Sequence, residues 1–148
     1  MPYGQAKGET IQIFDLRTHQ VATLPDSMNL WTPRWSPDGR YISAVTVADR
    51  SLRLFDVSTQ SWKAFSANHI DNPTWSKDSQ FISYHTEGHE IRALRRVSIS
   101  DGQMEEIASL KGFALRAYWW SGLSLDGSPL VLRQLGGPEI YALELEKR

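Results

Sequence analysis

An eleven-residue segment of this chain returns 40 residues further along. Residues 32–42 read TPRWSPDGRYI and residues 72–82 read NPTWSKDSQFI. Self-similarity at a fixed spacing of this length indicates an array in which each repeat is one supersecondary unit. A four-stranded propeller blade takes about 40 to 45 residues. The sequence therefore predicts consecutive blades, with Trp35 and Trp75 buried in equivalent positions one blade apart.

Each repeat has the pattern of a blade made of short strands and polar turns. In residues 33–66, Arg34 and Trp35 form a short inner strand before a Ser-Pro-Asp-Gly turn, where Pro presets φ and Gly suits the last position. Residues 41–47 are rich in aromatic and β-branched side chains, as strands prefer. Both faces of that strand are apolar, which fits a blade between two neighbours. No segment has a sustained helical period, so we expect an all-β chain of four-stranded antiparallel β-propeller blades.

The expected blades are incomplete at both ends of a single domain, residues 1–148. Blade one has only its outer strands, at residues 10–24; blade two covers 33–66, blade three 73–109 and blade four 117–146. In blade four, residues 123–125 read as an insertion that lengthens the turn, and residues 139–145 read as a third strand. About three and a half blades form an incomplete ring, since closed propellers have four to eight. We expect the C-terminal part of a larger propeller, or an open array whose ends another copy covers.

The composition excludes several classes of protein and site. A net charge of −1 argues against nucleic acid, whose binding domains carry a basic face. The absence of cysteine excludes a disulfide framework and a thiolate metal site. No apolar run approaches the length of a membrane span, and the N-terminus lacks the apolar core of a signal peptide. These observations leave the cellular compartment open.

The repeated box resembles a known propeller family. Residues 35–39 (WSPDG), and residues 75–79 in weaker form with Ser79 in place of Gly, resemble the WD-repeat-like box of TolB and related bacterial proteins. The same box is found in the propeller domains of prolyl-oligopeptidase-type peptidases. Residues 127–132 and 139–143 resemble the C-termini of propellers in multidomain bacterial signalling proteins, which carry a kinase or winged-helix domain upstream. The resemblance covers residues 10–146 and implies a periplasmic or extracytoplasmic propeller.

Candidate site residues gather where loops enter the inner strands. In a four-stranded antiparallel blade, those loops emerge on the same side as the loops that join strands two and three. Aromatic side chains with an Arg are typical of protein interfaces, and packing between blades is the alternative use for them. The residues of this predicted interaction face are Trp31, His69, Asp71, His85, His89, Arg116, Tyr118 and Trp119.

Part of this face also has the residue types of a metal site. His and carboxylate side chains bind zinc and other divalent ions, and Glu87 and Glu90 lie near the histidines in sequence. A polar loop face is the alternative. Because the spacing is loose, we expect no cofactor and no catalytic metal, with His69, His85 and His89 partly solvated.

The sequence favours a binding module over an enzyme. It contains no Gly-x-Ser-x-Gly nucleophile elbow and no Gly-rich phosphate loop. We expect a non-catalytic propeller that binds a protein or ligand, as the sensory or scaffold part of a larger bacterial protein. Its partner is another protein or the remainder of its own propeller, with self-association through open blade ends, and neither nucleic acid nor a membrane span is involved. The alternatives are the regulatory propeller of a prolyl-oligopeptidase-type serine peptidase and a metal- or glycan-dependent enzyme with acids in a central funnel.

Overall fold

The computed structural model describes residues 8–65, 69–86, 93–110, 118–124 and 126–133. These residues form twelve β-strands and no helix, and so contain no helix that could span a membrane. The strands are β1 Gln12–Phe14, β2 Val21–Thr23, β3 Leu30–Trp35, β4 Tyr41–Thr46, β5 Leu52–Asp56, β6 Ser61–Ala64, β7 Ile70–Trp75, β8 Phe81–Thr86, β9 Ala93–Ser98, β10 Met104–Ser109, β11 Tyr118–Leu123 and β12 Pro129–Arg133.

The strands form a row of antiparallel sheets in chain order. The second sheet has the order β3-β4-β5-β6 and the third has β7-β8-β9-β10, while β1-β2 and β11-β12 each form a two-stranded sheet among the described residues. The prediction of all-β, four-stranded antiparallel blades is thereby confirmed, and the described sheets do not close a ring. The strand expected at residues 139–145 lies outside the described residues.

Apolar layers between neighbouring sheets hold the row together. Successive residues of a strand point to opposite faces, so a central strand such as β4 places Ile42 towards the first sheet and Val45 towards the third. The buried members of the layer between the first and second sheets are Ile11, Leu24, Ile42, Ala44 and Phe55. Those of the layer between the second and third sheets are Val45, Leu52, Leu54, Phe65, Ile70, Trp75, Ile82, Tyr84 and Val97. Those of the layer beyond the third sheet are Leu94 and Leu110.

The sequence offset of 41 residues, which places Phe14 and Asp15 at the positions of Phe55 and Asp56, identifies β1 and β2 as the outer pair of a blade, and a shared turn supports this. The turns that follow β1, β5 and β9 each end in a residue with left-handed backbone, at His19 (φ 58°), Gln60 (φ 55°) and Gly102 (φ 75°). In each turn the N–H of that residue donates to the carbonyl four residues earlier, at 2.8 to 3.0 Å. The first sheet therefore corresponds to β5-β6 and β9-β10, the outer halves of the complete blades.

A second repeated turn identifies β11 and β12 as an inner pair. The hydroxyl groups of Ser36 and Ser76 each donate a hydrogen bond to the carboxylate of the Asp two residues later, at 2.6 Å. Each hydroxyl oxygen also accepts the backbone N–H of the residue five positions later. Ser124 makes the same contacts with Asp126 and the N–H of Ser128. The expectation of a lengthened third turn was wrong: the Ser-x-Asp-Gly turn is one residue shorter there, because strand β11 runs through to Leu123.

The two repeated tryptophans occupy the same register but differ in environment. Trp35 pairs with Ile42 and Trp75 with Ile82. Trp75 is 9% exposed, whereas Trp35 is 50% exposed, so the prediction that both are buried was wrong for Trp35. The inner strands of blade two cover Trp75, and the first sheet has no such pair among the described residues.

The inner strands are longer than expected because each contains a bulge. β3 begins at Leu30 and β7 at Ile70, in each case four residues before the predicted Arg34 and Thr74. The register shifts after Trp31 in one strand and after Asp71 in the other. Thr32 (φ 49°) and Asn72 (φ 47°) have left-handed backbone at these bulges, and a proline follows each. The bulges bring Trp31 and Asp71 into the sheets.

Candidate functional site

The predicted interaction face begins where a loop of one blade lies on a loop of the next. The N–H of His69 donates to the carbonyl of Asp49 at 3.3 Å, and the N–H of Ile70 donates to the carbonyl of Arg50 at 3.0 Å. The loop that enters the third sheet thus rests on the loop that joins β4 to β5. The two kinds of loop meet on the same face of the row of blades, at the tips of the strands, as expected for antiparallel blades.

On this loop face, Arg50 lies over the aromatic ring of Trp31. Trp31 is half-buried at the start of β3, opposite Val45, and the guanidinium carbon of Arg50 lies 5.9 Å from the centre of its ring. The indole N–H is shielded from solvent and has no acceptor among the described residues. Arg50 was not predicted as a site residue, because only the packing of the loop places it over the ring.

Asp71 and His85 form the polar part of the same end, in the third sheet. They face each other across β7 and β8, and the Nε2 atom of His85 lies 3.5 Å from Oδ2 of Asp71. His85 is 6% exposed, so the expectation that it is partly solvated was wrong. The 40-residue offset could have revealed this pair, since it places Asp71 at the position of Trp31 and His85 at that of Val45.

The predicted site residues do not form one cluster. Trp31 packs against the layer between the second and third sheets, and Tyr84 belongs to the same layer. His85 follows Tyr84 in the strand and therefore faces the fourth sheet. His69 is exposed on its loop. His89 and Arg116 lie outside the described residues, as do the side chains of Tyr118 and Trp119 at the start of β11.

The described part of the chain brings no three His, Asp or Glu side chains together in a group that could hold a metal ion. Many of its acidic residues instead fix turns. Hydroxyl and backbone N–H donors stabilise the ionised carboxylate, which lowers the pKa of each of these side chains. The hydrogen bond from Ser124 contributes most at Asp126, whose pKa falls to about 2. The other turn carboxylates with a lowered pKa are Asp15, Asp38, Asp49, Asp56, Asp78 and Asp101.

A cleft on the opposite loop face of the blades was not predicted from the sequence. It has a volume of about 470 Å³, lies between the second and third sheets, and is lined by charged side chains of both signs. Asp38 and Arg40 come from the first turn of blade two, Asp56 from the end of β5 and Lys63 from β6. These residues are distant in sequence and follow no shared spacing, so no local pattern could have indicated them.

The fold is similar to those of several solved propellers. TolB from Acinetobacter baumannii matches with a TM-score of 0.64 and 20% identity, over 88% of this chain and 36% of that one. A structure from a study of two prolyl endopeptidases matches with a TM-score of 0.64 and 18% identity, over 86% and 23%. The tricorn protease matches with a TM-score of 0.57 and 16% identity, over 82% and 12%.

These matches show the fold alone, which is that of a TolB-type β-propeller. The chain matches about a third of the length of TolB and smaller shares of the two peptidases. No protein-family model matches the sequence, and no curated protein is similar enough to match.

Proposed function

We propose that this chain is a non-catalytic β-propeller module that binds a protein partner through its interaction face. The observation that carries the proposal is the half-buried ring of Trp31, which has the guanidinium carbon of Arg50 5.9 Å from its centre where the loops of two blades meet. A partner that covers the exposed part of this ring removes apolar surface from water, which favours binding. An apolar or aromatic side chain of a bound polypeptide has the required chemistry.

The surroundings of Trp31 support the same role. Arg50 lies over the ring, and Trp and Arg are the residue types most enriched at the energetic centres of protein interfaces. His69 is exposed next to them on the adjoining loop. In the neighbouring sheet, the buried His85 lies 3.5 Å from the partly exposed Asp71, across β7 and β8 on the same loop face. In this proposal the module serves as the sensory or scaffold part of a larger bacterial protein.

Site-specific photo-crosslinking in the native host tests the interaction face. A photoreactive amino acid is placed at His69, and at Thr59 on the opposite end as the matched control. We expect one protein to be captured at position 69 and not at position 59. The Trp31→Ala change should abolish that capture. Capture of the same proteins at both positions, or capture at position 69 that Trp31→Ala leaves unchanged, would contradict the proposal.

The second candidate is the regulatory propeller of a prolyl-oligopeptidase-type peptidase. Its support is the match to the prolyl endopeptidase structure, which has the same TM-score as the match to TolB. The coding sequence that flanks this chain distinguishes the two. A hydrolase domain with a nucleophile elbow favours the peptidase, whereas a kinase, DNA-binding or envelope domain favours the sensory or scaffold module.

A further inference from the structure

The cleft between the second and third sheets has balanced charges in its lining. Two carboxylates, Asp38 and Asp56, and two cations, Arg40 and Lys63, line it, so that the lining has no net charge. Its volume of about 470 Å³ is in the range of small-molecule sites. The cleft lies on the loop face opposite the interaction face, because its residues come from the turns that join the first strand of a blade to the second and the third to the fourth.

Neither cation of the cleft is taken up by an ion pair within the chain. The ion pairs within the described part of the chain are His85–Asp71, Arg95–Glu106 and Arg96–Glu105. The guanidinium of Arg40 donates to the hydroxyl of Tyr41 at 3.2 Å, which uses one of its several N–H donors. Both Arg40 and Lys63 therefore keep donors for an anionic group of a ligand.

The two carboxylates of the cleft are ionised and each keeps an oxygen that its turn does not use. The hydroxyl of Ser36 and a backbone N–H donate to Oδ1 of Asp38. The hydroxyl of Ser58 and two backbone N–H groups donate to Oδ1 of Asp56. These donors, the serine hydroxyl first in each case, lower the pKa of both carboxyl groups. The Oδ2 atom of each is left for a cationic group.

Ser79 joins the two blades at the cleft. It occupies the position of Gly39 in the preceding repeat, and both residues have left-handed backbone, at φ 61° and 73°. This conformation is unfavourable for a residue other than Gly, but the Ser79 hydroxyl oxygen accepts the backbone N–H of Asp38 at 3.1 Å. A glycine at this position would relieve the strain and lose the hydrogen bond. The serine therefore holds the turn that carries Asp38 and Arg40 beside the third sheet.

We propose that this cleft binds a small zwitterion, a free amino acid or a dipeptide, with its carboxylate at Arg40 and Lys63 and its ammonium at Asp38 and Asp56. A ligand with only negative charge would face two ionised carboxylates, and a ligand with only positive charge would face two cations. A neutral ligand would displace water from the charged groups without supplying a charged partner, which is unfavourable. The proposal is independent of the interaction face.

The cleft also has an apolar wall for the side chain of such a ligand. Leu54 and Ile99 come from the two neighbouring sheets, and both belong to or pack against the apolar layer between these sheets. Removal of apolar surface from water adds to binding. We therefore expect an amino acid with an aliphatic or aromatic side chain to bind more tightly than glycine.

A screen of thermal unfolding with the standard free L-amino acids and glycyl dipeptides identifies the ligand, because a molecule that binds only the folded protein raises the midpoint. Isothermal titration calorimetry then measures the dissociation constant of the strongest ligand. The N-acetyl and amide derivatives of that ligand each lack one charge, so they test the charge requirement with the protein unchanged. We expect each derivative to raise the dissociation constant by about tenfold or more.

Substitutions in the cleft test the location of the site. Arg40→Gln and Lys63→Gln each remove one cation from an exposed position, so neither should impair folding. Each should raise the dissociation constant by about tenfold. Lys77→Gln is the matched control, since Lys77 is exposed on a turn of the same loop face but does not line the cleft. It should leave the dissociation constant unchanged.

Four results would overturn the proposal. In the first, no amino acid or dipeptide raises the midpoint of unfolding. In the second, the blocked derivatives bind as tightly as the free ligand, which would show that the two charges are not recognised. In the third, Arg40→Gln and Lys63→Gln leave binding unchanged, which would place the ligand elsewhere on the molecule. In the fourth, Lys77→Gln weakens binding as much as Lys63→Gln does.

Discussion

Thr32 is the residue whose replacement should most clearly stabilise the fold. Its backbone is left-handed (φ 49°), and its Oγ1 is shielded from solvent without a hydrogen-bond partner among the described residues. A β-branched residue in this conformation is unfavourable by about 1–2 kcal/mol. The equivalent position of the next blade has Asn72 at φ 47°, and Asn is among the residues that tolerate this conformation.

We expect Thr32→Asn to raise the free energy of unfolding by about 1 kcal/mol, since part of the backbone strain is removed. For a chain of this size the midpoint of thermal unfolding should rise by about 3 °C. The reverse change, Asn72→Thr, should lower the free energy of unfolding by about 1–2 kcal/mol. Urea denaturation at one fixed protein concentration measures both effects.

Thr23 provides a matched control. It is an exposed threonine in strand β2 with ordinary backbone, so Thr23→Asn removes a β-branched residue without relieving strain. We expect Thr23→Asn to be neutral or slightly destabilising. If Thr32→Asn is no more stable than the wild type and Asn72→Thr costs nothing, the strain argument is wrong.

Three further predictions concern the blade contacts and turns. Trp75→Ala should lower the free energy of unfolding by about 3–5 kcal/mol, and Trp35→Ala by about half as much in dilute solution, as urea denaturation of each will show. Asp71→Ala should cost about 1–3 kcal/mol in the same assay, because the buried His85 loses its carboxylate partner, whereas Glu9→Ala, at an exposed position with ordinary backbone, should cost little. The pKa of Asp126 is about 2 in the fold and near 3.9 in an unfolded chain, so its contribution to stability is present above pH 4 and lost as the pH falls towards 2. Denaturation at a series of pH values should therefore show that the free energy of unfolding falls less steeply with acidification in Asp126→Asn than in the wild type.

The sequence predicted those parts of the fold that depend on local chemistry. The turn that begins Ser-x-Asp is specified by its own hydrogen bonds, so the repeat located the inner hairpins at Ser36 and Ser76. The third turn was misplaced because Ser121 follows two tryptophans and imitates the box, while the actual turn starts at Ser124. Two serines in similar surroundings cannot be distinguished without the pairing of the strands.

Features that depend on a neighbouring blade were not predictable in this way. Trp35 and Trp75 occupy the same position of the repeat, yet the exposure of each depends on whether the preceding sheet has inner strands that cover its ring. At the site, topology correctly placed Asp71 and His85 on one loop face but did not show that the two side chains face each other across β7 and β8. The contact of Arg50 with Trp31 depends on how a loop packs, and no sequence spacing reports it.

Sedimentation equilibrium of the 148-residue chain over a hundredfold range of concentration tests most directly the claim that the open ends of the row are binding surfaces. One chain has a mass of 16.8 kDa. The account predicts an average mass that rises reversibly above this value with concentration, because unpaired strand edges and exposed apolar blade faces recruit other copies. A well-folded species with the mass of one chain at every concentration would contradict it.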